Sequence, residues 1–315
     1  MPFFSVIIPL YNKAENIGDT LNSVLEQSFN DFEIILIDDG STDNGLQIVQ
    51  TIIDPRLHVF SKTNEGVSLA RNYGVSKAQG KFVAFLDADD IWKPNHLEVL
   101  YSLIGSFPNN KWFATRYEVK HHNGLISPME THLLDDNASF EGIVFDYFKY
   151  SLVSSLAWTS AVCMSIGFFH ELGGFDQKIT FGAGEDTDLW IRAALDFPLV
   201  FSHKITAQHN LMGVNRISKT ATEKRDFIDL DKYESKAIGN PYLKKYLDLN
   251  RFSIGLQYKM AGFLDVSRTY FARINKNNLS GKQRFLLSCN RATLLFVKKF
   301  QWFLRGLKIN LSAFD

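Results

Sequence analysis

The sequence predicts an α/β protein built on a mostly parallel sheet flanked by helices, with a helical C-terminal extension. Its first third alternates apolar runs with helix-period stretches, the pattern of strand–helix–strand units. Phe82-Val83-Ala84-Phe85-Leu86, after Gly80-Lys81, is an unbroken apolar run of the kind buried on both faces of a sheet. Most of these runs end in polar or acidic residues, and in open α/β sheets ligands bind outside those carboxyl ends.

In chain order, strands are expected at 3–10, 33–38, 57–61 and 82–86, with helices at 14–27, 43–53 and 67–78 between them. After Pro94 a helix to about residue 103 and a strand at about 112–119 follow. Residues 120–158 carry no clear period, apart from a turn at His121-His122-Asn123-Gly124 and an aromatic-rich stretch, 140–150, that reads as helix. An apolar run at 160–166, a turn at Gly173-Gly174-Phe175-Asp176 and a helix at 185–195 come next, and the chain beyond about residue 220 reads as helical throughout.

With 315 residues, 45% hydrophobic and 22% charged, the chain can bury a large core. Its formal net charge is zero, but residues 266–314 hold ten bases and no acid, leaving 24 bases against 33 acids in residues 1–265. An acidic body with a basic tail points to an anionic surface as partner. On a helix, Phe296, Phe300, Phe303, Leu304, Leu307 and Leu311 fall on one side. Arg291, Lys298 and Arg305 recur at heptad spacing on the other, with Lys308 beside them and Trp302 near the boundary. Such a helix suits peripheral association with an anionic membrane, or packs its aromatic stripe on the acidic body. Nucleic acid is not expected, because it needs no broad aromatic face. Two cysteines without metal-ligand spacing, no cleavage signal and no apolar run of about 20 residues lead to a cytoplasmic location or the cytoplasmic face of a membrane.

Three acids close the central run: Asp87 and Asp89 are two apart, point the same way in extended chain and can share one cation, with Asp90 beside them. At the end of the second run, Asp38-Asp39-Gly40-Ser41-Thr42-Asp43 holds ordinary cap residues in Ser41 and Asp43. That leaves Asp39 able to accept the N–H of a pyrimidine base. Arg71, inside the third helix, either reaches a phosphate over the sheet edge or pairs with a surface acid. No G-x-G-x-x-G and no Walker lysine are present, which excludes a dinucleotide oxidoreductase and a P-loop enzyme. In Gly184-Glu185-Asp186-Thr187-Asp188, acids at a helix start meet the dipole favourably, but three within four residues exceed what a cap requires. Trp190 is expected in the core.

The ordered set VIIPLYN, EIILIDDGSTD, NEGVSLARN, GKFVAFLDADD and GEDTDLW resembles family 2 of the glycosyltransferases, from about Ser5 to Trp190. The resemblance implies the GT-A fold. It divides the chain into a nucleotide-sugar-binding half at 1–110, an acceptor-binding and catalytic half at 111–220, and a helical region at 221–315 with the basic amphipathic tail. It also implies that Pro9, Tyr11, Asp39, Arg71, Asp87 and Ala88 bind the nucleotide-sugar. By the same resemblance Asp89 ligates a divalent metal, Mn²⁺ or Mg²⁺, and Asp186 is the catalytic base, with Glu185 and Asp188 as supporting acids that orient the acceptor.

The chemistry of those residue types is consistent with these roles. A cation at Asp89 would neutralise a diphosphate leaving group, and oxygen ligation fits Mg²⁺ or Mn²⁺ rather than zinc. A carboxylate on the opposite face of the sugar would take the acceptor's proton. Where family members often carry a Tyr-Arg-x-His-like segment, this chain reads Gln208-His209-Asn210-Leu211. His209 there is either a metal or phosphate contact or a structural residue. No Gln-x-x-Arg-Trp and no spanning helix are present, so transfer of single sugars is expected rather than polymer synthesis. The expected donor is a UDP-sugar, the acceptor a glycan or lipid-linked glycan, and the setting surface polysaccharide assembly. Two other readings remain: an inactive nucleotide-binding scaffold on the same fold, and a nucleotidyltransferase. The latter usually has a Gly-rich basic loop where this chain has Leu10-Tyr11-Asn12-Lys13.

Overall fold

The computed structural model describes residues 1–179, 183–213 and 220–306, with no account of the side chains of Trp302, Phe303, Arg305 and Gly306. Phe181 and Gly182 of the expected site, and Leu307, Lys308 and Leu311 of the expected amphipathic helix, lie outside the described residues.

The parallel half is laid down as expected. β1 (Phe4–Leu10), β2 (Phe32–Asp38), β3 (Leu57–Ser61) and β4 (Phe82–Phe85) pair in parallel in the order β3-β2-β1-β4. Their connections are α1 (Ile17–Leu25), α2 (Gly45–Gln50) and α3 (Val67–Lys77). β1 and β2 are buried on both faces, except for Pro9 at intermediate exposure, which is why they read as near-continuous apolar runs.

Beyond β4 the sheet becomes mixed. After β5 (Ile91–Trp92) and α4 (His96–Ser106) comes β6 (Trp112–Lys120), followed by β7 (Ile126–Pro128), β8 (Glu141–Val144), α5 (Tyr147–Tyr150), β9 (Val162–Ser165) and α6 (Ile166–Glu171). α7 (Glu185–Asp196) then leads into β10 (Leu199–Asn210). The whole order is β3-β2-β1-β4-β9-β6-β10-β5, with β7 on β6 and β8 on β10. β9 runs antiparallel between β4 and β6, so the apolar run at 160–166 joins the two halves of the sheet.

Two expectations fail here. The stretch 140–150 is not one helix: Glu141–Val144 pairs antiparallel with β10, and only Tyr147–Tyr150 is helical. β10, where no strand is expected, is 12 residues long and lies inside the sheet between β6 and β5. Its polar residues are buried because they are paired: Ser202 Oγ donates to Glu141 Oε1 (2.5 Å) and Thr206 Oγ1 to Thr115 Oγ1 (2.7 Å).

The C-terminal region is helical, with α8 (Glu234–Ala237), α9 (Pro241–Ala261), α10 (Leu264–Ala272), α11 (Gly281–Ser288) and α12 (Arg291–Gly306). Asn240 caps α9 with Pro241 at its first position, matching the turn signal at that dipeptide. One core runs from Phe4 to Ile254, and a small satellite of Leu249, Phe252, Ile274 and Leu279 lies under the terminal helices. Trp190 is in the core, stacked on Trp112 with centroids 6.2 Å apart. Both cysteines are free and buried.

Candidate active site

The carboxyl ends of β1, β2 and β4 open into one cavity of about 650 Å³. Pro9, Tyr11, Asp39, Arg71, Asp87, Ala88, Asp89, Glu185, Asp186 and His209 all line it, whereas Asp188, the other acid expected at the site, does not.

On the β2 side, Asp39 is buried and its carboxylate is held from below. Oδ1 accepts from Lys62 Nζ (2.9 Å) and Glu65 N (3.1 Å), and Oδ2 accepts from Gly66 N (2.9 Å). Tyr11, on the loop after β1, remains 39% exposed at the mouth.

Arg71 projects from α3 and is 3% exposed. Its guanidinium bridges Asp87 (Nη2 to Oδ1, 2.5 Å) and Glu185 (Nη1 to Oε1, 3.0 Å), and lies 5.1 Å over the Phe175 ring. Burial opposes its charge, but the two carboxylates outweigh that and keep it protonated. Burial likewise works to raise Asp87. Arg71, with Lys13 and His209 nearby, prevails and holds that carboxyl below its ordinary range.

Asp89 receives Lys13 Nζ at 2.7 Å. Lys13 was not among the expected site residues, since nothing in the first loop ties it to a strand end 76 residues away. Gly213 passes so close that a Cβ there would lie 2.2 Å from Asp89 Oδ2. Asp90 points the other way. It accepts from Ser160 Oγ (2.7 Å) and Asn210 N (3.0 Å), while Ser160 Oγ also accepts from Asp87 N (3.1 Å). Burial, with Asp89 and Asp87 adding to it, pushes the Asp90 carboxyl well above its usual range. This polar knot fixes the acidic loop to the start of β9 and the end of β10, and thereby sets His209, whose ring lies 4.8 Å from Trp158.

α7 opens at Gly184, whose φ of +110° is a left-handed conformation that favours glycine, and where a Cβ would meet Ile228 at 2.8 Å. Glu185 and Asp186 follow, facing the cavity. Burial first, and Asp186 second, push Glu185 up to about 7 against the pull of Arg71. Burial also raises Asp186, against a hydrogen bond from Thr187 N (2.6 Å). Behind it stand Tyr117, Tyr147 and Tyr246, buried phenols whose pKa desolvation raises, and the Asp186 carboxylate further opposes their ionisation. Asp188 does not fill its expected role. It is fully buried on the far side of the helix, held by Arg192 (2.7 Å), Lys232 (2.5 Å) and the Tyr233 hydroxyl (2.6 Å), so it anchors the C-terminal region instead of orienting an acceptor.

Cations missed in the sequence complete the cavity. The segment after residue 220 is zipped to Ala183 through Ala183 N to Asp226 O (3.1 Å) and Ile228 N to Ala183 O (3.3 Å), which places Lys224 and Arg225 on the wall. Arg225 is 8% exposed, bonds Gln257, lies 4.9 Å over Phe227 and has no hydrogen-bond partner for Nε. Burial lowers its pKa.

Among the described residues no group of three or more His, Cys, Asp or Glu side chains is arranged to hold a metal ion. Asp89 and His209 both line the cavity, and a cation held there would need further ligands from phosphate and water, as Mg²⁺ and Mn²⁺ accept.

A raised carboxyl means the folded chain binds that proton more tightly than the unfolded one. Between the ordinary value of 4.5 and about 7, Glu185 therefore weakens stability as pH rises. Glu185→Gln should raise the melting temperature relative to wild type more at pH 8 than at pH 5. An equal or opposite difference would mean that the Arg71 contact dominates.

The fold is that of an α/β protein whose cavity lies at the carboxyl ends of parallel strands, the place where open sheets of this kind take their ligands. The profile of glycosyl transferase family 2 matches residues 5–167, just over half of the 315-residue chain, and the protein belongs to that family. TuaG of Bacillus subtilis (strain 168), named as a candidate teichuronic acid biosynthesis glycosyltransferase, is 48% identical over 100 residues, covering 31% of this chain and 40% of TuaG. An uncharacterized glycosyltransferase of Rickettsia felis is 29% identical over 259 residues, covering 77% of this chain and 38% of that protein. The chain thus spans about two fifths of the length of these relatives. The crystal structure of S. aureus TarS 1-349 superposes with a TM-score of 0.56 at 20% identity, covering 90% of each chain. The same fragment in complex with UDP-GlcNAc gives 0.58 at 19%, covering 90% of this chain and 78% of that one. At these identities the likeness is one of fold, and it agrees with the GT-A architecture implied by the motifs.

Proposed function

We propose that the protein is an inverting, metal-dependent enzyme that transfers one sugar from a nucleotide-sugar, a UDP-sugar, to a glycan or lipid-linked glycan in surface polysaccharide assembly. The observation that carries this reading is the convergence of Asp39, Asp87 and Asp89 with Glu185 and Asp186 on one cavity, in a chain of this family. The UDP-GlcNAc bound to TarS and the teichuronic acid context of TuaG support the donor and the setting. Asp39, preorganised by its backbone bonds, would accept the base N–H while Tyr11 covers the ring. Asp87 would face the ribose, fixed by Arg71.

Asp89 and His209 would hold the divalent cation, Mn²⁺ or Mg²⁺, which when bound neutralises charge on the diphosphate leaving group. Lys13 already brings positive charge to Asp89, and Lys224 and Arg225 offer donors to the same anion from across the cavity. Asp186 would take the proton of the acceptor hydroxyl as its oxygen attacks the anomeric carbon opposite the leaving group, which inverts that centre. Glu185 would assist as an acid held by Arg71.

Among the described residues no helix is long and apolar enough to cross a membrane. We place the enzyme in the cytoplasm, at the face of an anionic membrane that presents a lipid-linked acceptor. The domain boundaries proposed at 110 and 220 put the donor side in the parallel half and the acceptor side in the mixed half.

A screen of nucleotide-sugars for release of free nucleotide tests the reading. Release with one UDP-sugar, lost in excess chelator and restored by Mn²⁺ or Mg²⁺, is expected. Full turnover in chelator would end the metal role, and preference for a GDP-sugar would end the uridine assignment.

A further inference from the structure

The C-terminal helices present an outer surface that the transfer chemistry does not use. α12 turns Leu294, 4% exposed, and the half-buried Val297 toward the body. By helical register Ala292, Phe296 and Phe300 share the other side. Phe296 is 69% and Phe300 50% exposed, their rings stacked at 6.5 Å, so at these positions the aromatic stripe is not packed on the protein's own body. Lys299 stands beside them, also exposed, and the exposed Lys298 lies on the opposite side by register.

Ala292 also lines a second cavity, of about 490 Å³, between the end of α9, α10 and the start of α12. Its walls include Leu264 and Phe271, and three cations reach it: Lys259, Arg268 and Arg291. Lys259 Nζ donates to Leu287 O (2.9 Å) and Arg291 Nε to Met260 O (3.0 Å); among the described residues neither has a carboxylate partner. Among the described residues the carboxylate partner of Arg268 is the exposed Asp265 (2.8 Å). Exposed Phe263, Leu264 and Val266 lie at the start of α10, next to the cavity.

We propose that this face docks on a bilayer rich in anionic phospholipid. A headgroup phosphate enters the cavity among Lys259, Arg268 and Arg291, and Phe296 and Phe300 enter the acyl boundary. Charge selects the occupant. Residues 266–314 hold ten bases and no acid, so a second copy packed face to face would bring like charges together. Duplex nucleic acid, its bases already stacked on one another, would meet the cations but leave the phenylalanines without an apolar partner. Anionic lipid satisfies both, because cations near such a surface and aromatics at the interface each contribute to binding. This deepens the membrane part of the function proposed above and rests on it.

The test is co-sedimentation of the full chain with vesicles of phosphatidylglycerol and phosphatidylcholine, and with phosphatidylcholine alone. Wild type should bind the first and not the second, and more weakly as salt rises. K259Q/R291Q should bind about 30-fold more weakly, at about fivefold per cation. F296S/F300S, which changes two exposed side chains, should bind at least about tenfold more weakly with an unchanged melt. Both variants should release nucleotide like wild type. If wild type binds but both variants bind equally well, this face is wrong while the membrane reading stands. If wild type binds no vesicle, both fall, leaving transfer to be judged by nucleotide release. Dimerisation or RNA binding abolished by F296S/F300S, without vesicle binding, would assign the face to that partner and overturn the proposal.

Discussion

Asp186→Asn should lower kcat by about 10²–10⁴-fold while changing the nucleotide-sugar dissociation constant less than about threefold. Asparagine keeps the shape and can still accept the Thr187 N–H bond, so α7 and the cavity wall should stay in place. What is lost is a basic oxygen in a site where burial has raised its proton affinity. A base matched more closely to neutral pH takes a proton more effectively than a carboxylate of ordinary acidity. Binding by calorimetry and transfer by product release separate the two effects. If transfer stays within a few-fold of wild type, Glu185 carries the base role, since it is the other acid at the helix start that faces the cavity.

Arg71→Gln is expected to be the most damaging single change to the fold around the site. It leaves Asp87 and Glu185 without their shared cation, and breaking a buried pair from one side typically costs about 3–5 kcal/mol. The loss should depend on pH in a defined direction. Without Arg71 both carboxyls bind protons more tightly in the folded state, so the variant regains stability as pH falls and they become neutral. The gap from wild type in urea midpoint should therefore be wider at pH 8 than at pH 5. Transfer should fall as well, because Asp87 and Glu185 lose the group that positions them. A variant as stable as wild type at pH 8 would show that water replaces the guanidinium and that the bridge is dispensable.

What was legible in the chain follows from where its information lies. β1, β2 and β4 read clearly because both faces are buried, so apolar runs alone mark them, and their acids stand out by contrast at the strand ends. β10 was missed because Ser202 and Thr206 are satisfied by partners on distant elements, Glu141 and Thr115, which no local pattern records. β8 followed it: an edge strand beside an unrecognised neighbour looks like an aromatic helix. At the site, candidate residues came from local motifs, and all of them but Asp188 meet at the cavity. Lys13, Ser160, Lys224 and Arg225 came from none, since each acts through an element far away in sequence. Asp188 shows the opposite error. A cluster of acids read as one group is divided by the helical turn, with two facing the cavity and the third buried against Lys232.

The antiparallel strand wedged between the two halves has a consequence for biosynthesis. The free edge of β4 is covered only by β9, with Phe82 opposite Ser165. At about 5–20 residues per second a ribosome needs roughly 4–16 s to make the intervening stretch. For that interval the growing chain carries Val83, Ala84 and Phe85 on an uncovered strand edge, a template for wrong pairing. The loop that follows them also waits, because Ser160 and Asn210 have yet to be made. The cavity is thus completed late, and an early pause in translation leaves an adhesive half-sheet before the cavity has formed.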